Sequence, residues 1–252
     1  MSLLTHGNCA IENNYRPAMI SSPMVGQAEL ADKNPTTTFI IATSNSQLTA
    51  ISRKDTINQT KTEQKMPNYA ITDLLPLPNS PVQIPRLGFG VYRSPPGQCV
   101  QSTQTALQNG YRHIDTAQFY ANEAEVGEAI QKSGIPRSEI FTTTKILSPA
   151  GSPDATYEKM LGSVEKVGGK DGYVDLFLIH SSGSGSAGRK QLWQALERLL
   201  EEGKAKSIGV SNFGVQHIEE MKGYAKIWPP HVNQIEVSHY NPTCDSMICT
   251  EY

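Results

Sequence analysis

Asp175-Leu176-Phe177-Leu178-Ile179-His180 has the pattern of a strand buried on both faces. Four apolar residues run without alternation from Leu176 to Ile179 and end in a histidine. A strand with one wet face alternates, whereas a strand covered on both faces is apolar throughout. Downstream, Lys190 to Glu202 places Leu192, Ala195, Leu196, Leu199 and Leu200 on one face of a helix. Lys206-Ser207-Ile208-Gly209-Val210 is again strand-like. Strand, amphipathic helix, strand is the unit of a parallel sheet covered by helices.

The pattern extends in both directions. Upstream, Leu87 to Val91 predicts a strand, Cys99 to Gln108 a helix closed by Gly110, and His113 to Ala117 a strand. Glu123 to Gln131 predicts a helix with Asn122 as its N-cap, Ile140 to Lys145 a strand, and Asp154 to Val167 a helix. Downstream, Val215 to Ala225 predicts a helix and Val232 to Glu236 a strand. Ahead of the first unit, Ile71 to Leu77 and Val82 to Ile84 flank Asn79-Ser80 as a β-hairpin.

Periodicity does not separate a closed barrel from an open doubly wound sheet. Polar residues help. Asp115, Lys145, His180, Asn212 and Gln234 lie at or near the C-terminal ends of different strands. A barrel gathers those ends on the face where barrel active sites lie, and an open sheet spreads them along an edge. The open-sheet alternative draws on Gly183-Ser184-Gly185-Ser186-Ala187-Gly188, which fits the dinucleotide pattern G-x-G-x-x-G. That fingerprint also needs an acid at the end of the next strand, and Lys206 to Val210 ends in Ser211-Asn212. The segment therefore reads as a flexible Gly/Ser loop.

Composition bounds the rest. A net charge of -2 gives no electrostatic case for nucleic acid or an anionic membrane, and no apolar run reaches the length of a bilayer span. Cys9, Cys99, Cys244 and Cys249 form no Cys-x-x-Cys pair and no metal-ligand spacing, so no metal is expected. No basic region followed by an apolar core opens the chain, and a cytoplasmic location is expected. Residues 1–65 are dense in Ser, Thr, Asn and Gln without apolar period, which predicts a disordered extension. The folded domain is expected over 66–252, and Met66 is a candidate start.

Within this domain, Gly110-Tyr111-Arg112-His113-Ile114-Asp115-Thr116-Ala117, then Tyr120, Asn122-Glu123 and Val126-Gly127, resembles the signature of the aldo-keto reductase family in its fungal-like form. Phe141 to Lys145 is similar to the family's third strand and Asp175 to His180 to its fourth. Gly203 to Phe213 resembles the fifth strand and its loop, and Val232 to Glu236 the sixth. The resemblance implies a (β/α)8 barrel of the TIM type and NAD(P)H-dependent reduction of an aldehyde or ketone. It places a catalytic tetrad on Asp115, Tyr120, Lys145 and His180, and cofactor binding on Asp115, Ser211, Asn212 and Gln234, the last three holding the nicotinamide carboxamide. Tyr120 would protonate the alkoxide, Lys145 would lower its pKa, Asp115 would hold Lys145, and His180 would orient the carbonyl. NADPH is the cofactor the resemblance implies, with NADH as the alternative, and a small carbonyl compound is the partner.

The sequence departs from the family after the sixth strand. Val237 to Pro242 is followed by Thr243 to Tyr252, and no residues remain for two further βα units. The expectation is an incomplete barrel of about six units, with low activity or none. The alternative is a non-catalytic remnant or accessory subunit. The first and last strands are expected to be open to edge-strand association.

Overall fold

The computed structural model describes residues 70–236. The predicted disorder of residues 1–65, the candidate start at Met66 and the segment after Glu236 lie outside the described residues. A hairpin comes first, with β1 (Leu74–Pro76) antiparallel to β2 (Gln83–Pro85). Then follow β3 (Phe89–Gly90), α1 (Pro96–Gln108), β4 (His113–Asp115), α2 (Glu123–Lys132), β5 (Phe141–Ile146), α3 (Pro153–Gly168), β6 (Val174–Ile179), α4 (Gly185–Glu201), β7 (Ala205–Ser211), α5 (Val215–Met221) and β8 (Asn233–Gln234). The strands β3 to β8 form one six-stranded parallel sheet in sequential order.

Sequential order is what a barrel requires, and a single hydrogen bond shows that the sheet curls. Gln234 on β8 donates to Asp115 on β4 at 3.0 Å. Four strand spacings separate them in the sheet order, roughly 19 Å across a flat sheet. The two side chains meet only because the sheet bends into an incomplete (β/α)8 barrel. The open-sheet alternative is thereby excluded. Among the described residues, β3 and β8 each pair on one side only.

Two apolar layers follow from strand alternation. Phe177 and Ile179 on β6 face the helices, with Leu192, Trp193, Leu196 and Leu199 of α4 buried against them. Leu176 and Leu178 face the other way and pack with Phe141, Val232 and the hairpin residues Leu77 and Ile84. Gly127 on α2 allows a close approach to α3, because a Cβ there would lie 2.0 Å from the carbonyl oxygen of Lys166.

Several bounds differ from those read in the sequence. The helix α4 starts at Gly185, so the second half of the Gly/Ser segment is its first turn rather than a flexible loop. Contacts hold it there: Ser186 donates to Glu220 at 2.9 Å, and Arg189 bonds both Ser182 O, at 2.7 Å, and Glu220. The helix α5 ends at Met221, four residues before the predicted end at Ala225. Asn122 precedes α2 as predicted, yet its side chain makes no capping bond.

Candidate active site

The sheet's curl brings the strand-end residues together. Lys145 ends nearly buried at the floor, where its ammonium pairs with Asp115 and donates to Thr116 O at 3.0 Å. Above the pair lies an open cleft of about 180 Å³. Tyr92, Phe119, Tyr120, His180, Ser211, Asn212, Gln234 and Glu236 line it. Tyr120 sits in a short 3-10 turn, Gln118–Tyr120, between β4 and α2. Its ring centroid lies 5.5 Å from that of His180 and 4.8 Å from that of Tyr92, and the Lys145 ammonium is 5.1 Å from it.

All seven residues expected from the sequence thus converge, Asp115 and Lys145 below the cleft and Tyr120, His180, Ser211, Asn212 and Gln234 around it. The last three form one linked set. Ser211 donates to Gln234 O at 2.9 Å, and Asn212 donates to Ser211 Oγ at 3.1 Å and to His180 O at 3.2 Å. Asn212 adopts a left-handed conformation (φ 56°), which asparagine tolerates better than most residues.

Burial dominates the electrostatics. It pushes the Tyr120 hydroxyl above its ordinary value of 10, and the negative charge of Asp115 and the neighbouring Tyr92 act in the same direction. The expected lowering by Lys145 is therefore not found in the free protein. Burial also lowers the Lys145 ammonium, an effect that the Asp115 carboxylate opposes. His180 is pushed down to about 4, first by burial and then by Lys145, so its imidazole is neutral at pH 7. The site at neutral pH thus presents a protonated phenol and a neutral imidazole. Among the described residues no group of three or more His, Cys, Asp or Glu could hold a metal ion. Nor is any helix among them long and apolar enough to cross a membrane.

The family model described as "Aldo/keto reductase family" matches residues 86–250. The chain belongs to the aldo/keto reductase family. The 9,11-endoperoxide prostaglandin H2 reductase of Trypanosoma cruzi is 43% identical over 159 residues, covering 62% of this chain and 54% of that protein. The glyoxal reductase of Bacillus subtilis is 41% identical over 168 residues, covering 66% and 59%. Among solved structures, an aldo/keto reductase from Brucella melitensis is 40% identical with a TM-score of 0.60, over 66% of this chain and 63% of that one. The aldose reductase from Giardia lamblia is 33% identical with a TM-score of 0.56, over 64% and 60%. This aldo/keto reductase chain spans a little over half the length of the curated relatives it matches.

The family uses nicotinamide cofactors, and the donor set here fits one end of that group. Two primary amides and a hydroxyl at the cleft wall, Asn212, Gln234 and Ser211, offer the donors and acceptors that a carboxamide needs. Sequence reasoning missed Tyr92, Phe119 and Glu236 as cleft residues of this reductase fold. Their signal was position alone, since each lies next to or just after a strand end or beside Tyr120.

Proposed function

We propose that this chain reduces a small aldehyde or ketone to an alcohol by hydride transfer from NAD(P)H, with Tyr120 as general acid. The observation that carries the reading is the placement of a protonated phenol and a neutral imidazole, 5.5 Å apart between ring centroids, over a buried Lys145–Asp115 pair. When bound, the cofactor supplies the hydride. This chain's residues would do the rest. His180 donates a hydrogen bond to the carbonyl oxygen and orients the substrate. Tyr120 gives its proton to that oxygen as negative charge develops, a contribution of about 10²–10⁴-fold for a positioned acid. The raised pKa of Tyr120 keeps the proton available, and an alkoxide is basic enough to take it. Lys145, 5.1 Å from the ring centroid, stabilises the phenolate formed in that step, and Asp115 holds Lys145. Ser211, Asn212 and Gln234 hold the carboxamide. NADPH is the preferred cofactor in this reading, and the cytoplasm the location.

The test is NADPH oxidation by the purified chain against a panel of aldehydes and ketones, repeated with NADPH deuterated at C4. Deuterium on the carbinol carbon of the product is the expected result. Cofactor binding without any turnover would contradict it. That outcome would favour a second reading, an accessory role in which another chain pairs with β3 or β8, which among the described residues are open on one side.

A further inference from the structure

The turn that carries Tyr120 is held by a side chain to which no role has been given. Asn122 stands where a helix N-cap is expected, and asparagine is a favoured cap because its oxygen accepts from the first helical amides. Here the side chain caps nothing. It is turned back into the protein and buried. Its Oδ1 accepts from the Thr116 hydroxyl at 2.8 Å, and its Nδ2 donates to Val91 O at 2.9 Å. The first bond closes the loop 116–122 on itself. The second fastens that loop to the end of β3, where Val91 N donates to Asp115 O at 3.1 Å.

Two further observations show that this loop must be held. Ala121, between Tyr120 and Asn122, has φ 56° and ψ 28°, a left-handed conformation unfavourable for a residue with a Cβ. Such strain persists where the surroundings over-determine it. Thr116, the other end of the brace, also supplies the carbonyl to which Lys145 donates at 3.0 Å. On the far side Gln118 donates to Lys159 O at 3.0 Å and to Ser163 at 2.7 Å, so the turn is anchored to α3 as well.

We propose that Asn122 is a positioning residue: its two hydrogen bonds lock the turn that aims Tyr120 into the cleft and, through Thr116, fix the carbonyl that orients Lys145. The proposal rests on the reductase reading for its catalytic consequence, while the brace itself is a property of the free protein. Small errors in aim matter because proton transfer requires hydrogen-bond reach in the transition state.

Hydrogen exchange and kinetics together test it, on the full chain. Asn122→Ala removes both bonds. Thr116→Val removes one of them with almost no change of shape, and Thr116→Ser restores the hydroxyl. In Asn122→Ala and Thr116→Val, the amides of Tyr120 and Ala121, bonded to Ala117 O and Gln118 O, should exchange at least tenfold faster, with α4 and β6 unchanged. The kcat should fall at least tenfold with the NADPH dissociation constant within twofold, and Thr116→Ser should recover most of it. In a Tyr120→Phe background the same changes should cost little more, because the aimed group is gone; a merely structural loss would cost the same factor in both backgrounds. Unchanged exchange in the loop overturns the proposal, and so does an equal proportional loss in both backgrounds. If the wild-type chain turns over no carbonyl, the reductase reading fails and the exchange comparison alone decides the brace.

Discussion

Ion pairs join neighbouring strands at both ends of this sheet. At the carboxyl ends Lys145 pairs with Asp115, and both side chains are almost wholly buried. At the amino ends Arg137, just before β5, pairs with Asp175 at 2.8 Å and is partly exposed. The lower pair is saturated. Asp175 also accepts from Thr142 N at 2.9 Å, Arg137 also donates to Tyr173 O at 2.9 Å, and the guanidinium lies 4.3 Å from the Tyr173 ring centroid. The upper pair lies below an open cleft, beside a phenol and an imidazole whose proton affinities burial has displaced. Equivalent chemistry thus does different work. Below, a charge pair ties β5 to β6; above, in the proposed mechanism, it sets Lys145 beside Tyr120. This is the division between stability face and catalytic face expected of a barrel.

The largest effect is expected from Lys145→Met, which should lower kcat for carbonyl reduction by about 10²–10⁴-fold through loss of the charge beside Tyr120. It also leaves Asp115 buried without its cation, at a cost on the order of 3–5 kcal/mol of stability. Both are read from steady-state rates and denaturant unfolding, and a rate within tenfold of wild type would remove Lys145 from the chemistry.

A smaller effect separates the buried histidine between the two ends. His113, on β4, is pushed down to about 4, first by burial. A group with a lowered folded value contributes stability that is present above the unfolded value of 6.5 and lost as pH falls through 4. The melting temperature should therefore drop on acidification across that window, by up to about 3 kcal/mol equivalent for this residue. His180 acts in the same direction, and Glu123, pushed up by burial, acts in the opposite one. A His113→Gln variant should show a shallower decline; an unchanged slope would contradict the assignment.

The smallest effect should come from the lower pair. Arg137→Ala is expected to cost about 1–3 kcal/mol, the penalty for leaving a buried hydrogen-bonded carboxylate short of a donor, with kcat within threefold of wild type. A large loss of activity at unchanged stability would erase the distinction between the two ends.

The parallel sheet was legible because the unbroken apolar run of β6 matches its burial along the whole length, while β5 showed itself as a strand only through its β-branched threonines and isoleucine. The site residues were legible because they fall at strand ends in a recognisable order. What escaped was set by distant contacts. The start of α4 is composed of Gly and Ser, and only Glu220, on another helix, shows why it is helical. Asn122 has the identity and position of a cap, but a threonine and a backbone carbonyl 31 residues away take its side chain. The direction of the Tyr120 shift depends on how deeply the ring is buried and on how fully Asp115 engages Lys145, neither of which spacing reveals. The strands β3 and β8 are each two residues long, shorter than the spans Leu87 to Val91 and Val232 to Glu236 read from the sequence.

If Tyr120 delivers the proton, Tyr120→Phe should abolish that step alone. The substitution keeps the ring against Tyr92 and His180 and removes only the hydroxyl. Rates of NADPH oxidation with a reactive aldehyde should be compared with NADPH affinity from fluorescence titration on the same preparations. The kcat should fall by about 10²–10⁴-fold, the range for a lost general acid, with the dissociation constant within twofold. A variant that keeps more than about a tenth of the wild-type kcat would contradict it, since a lost general acid costs more than that.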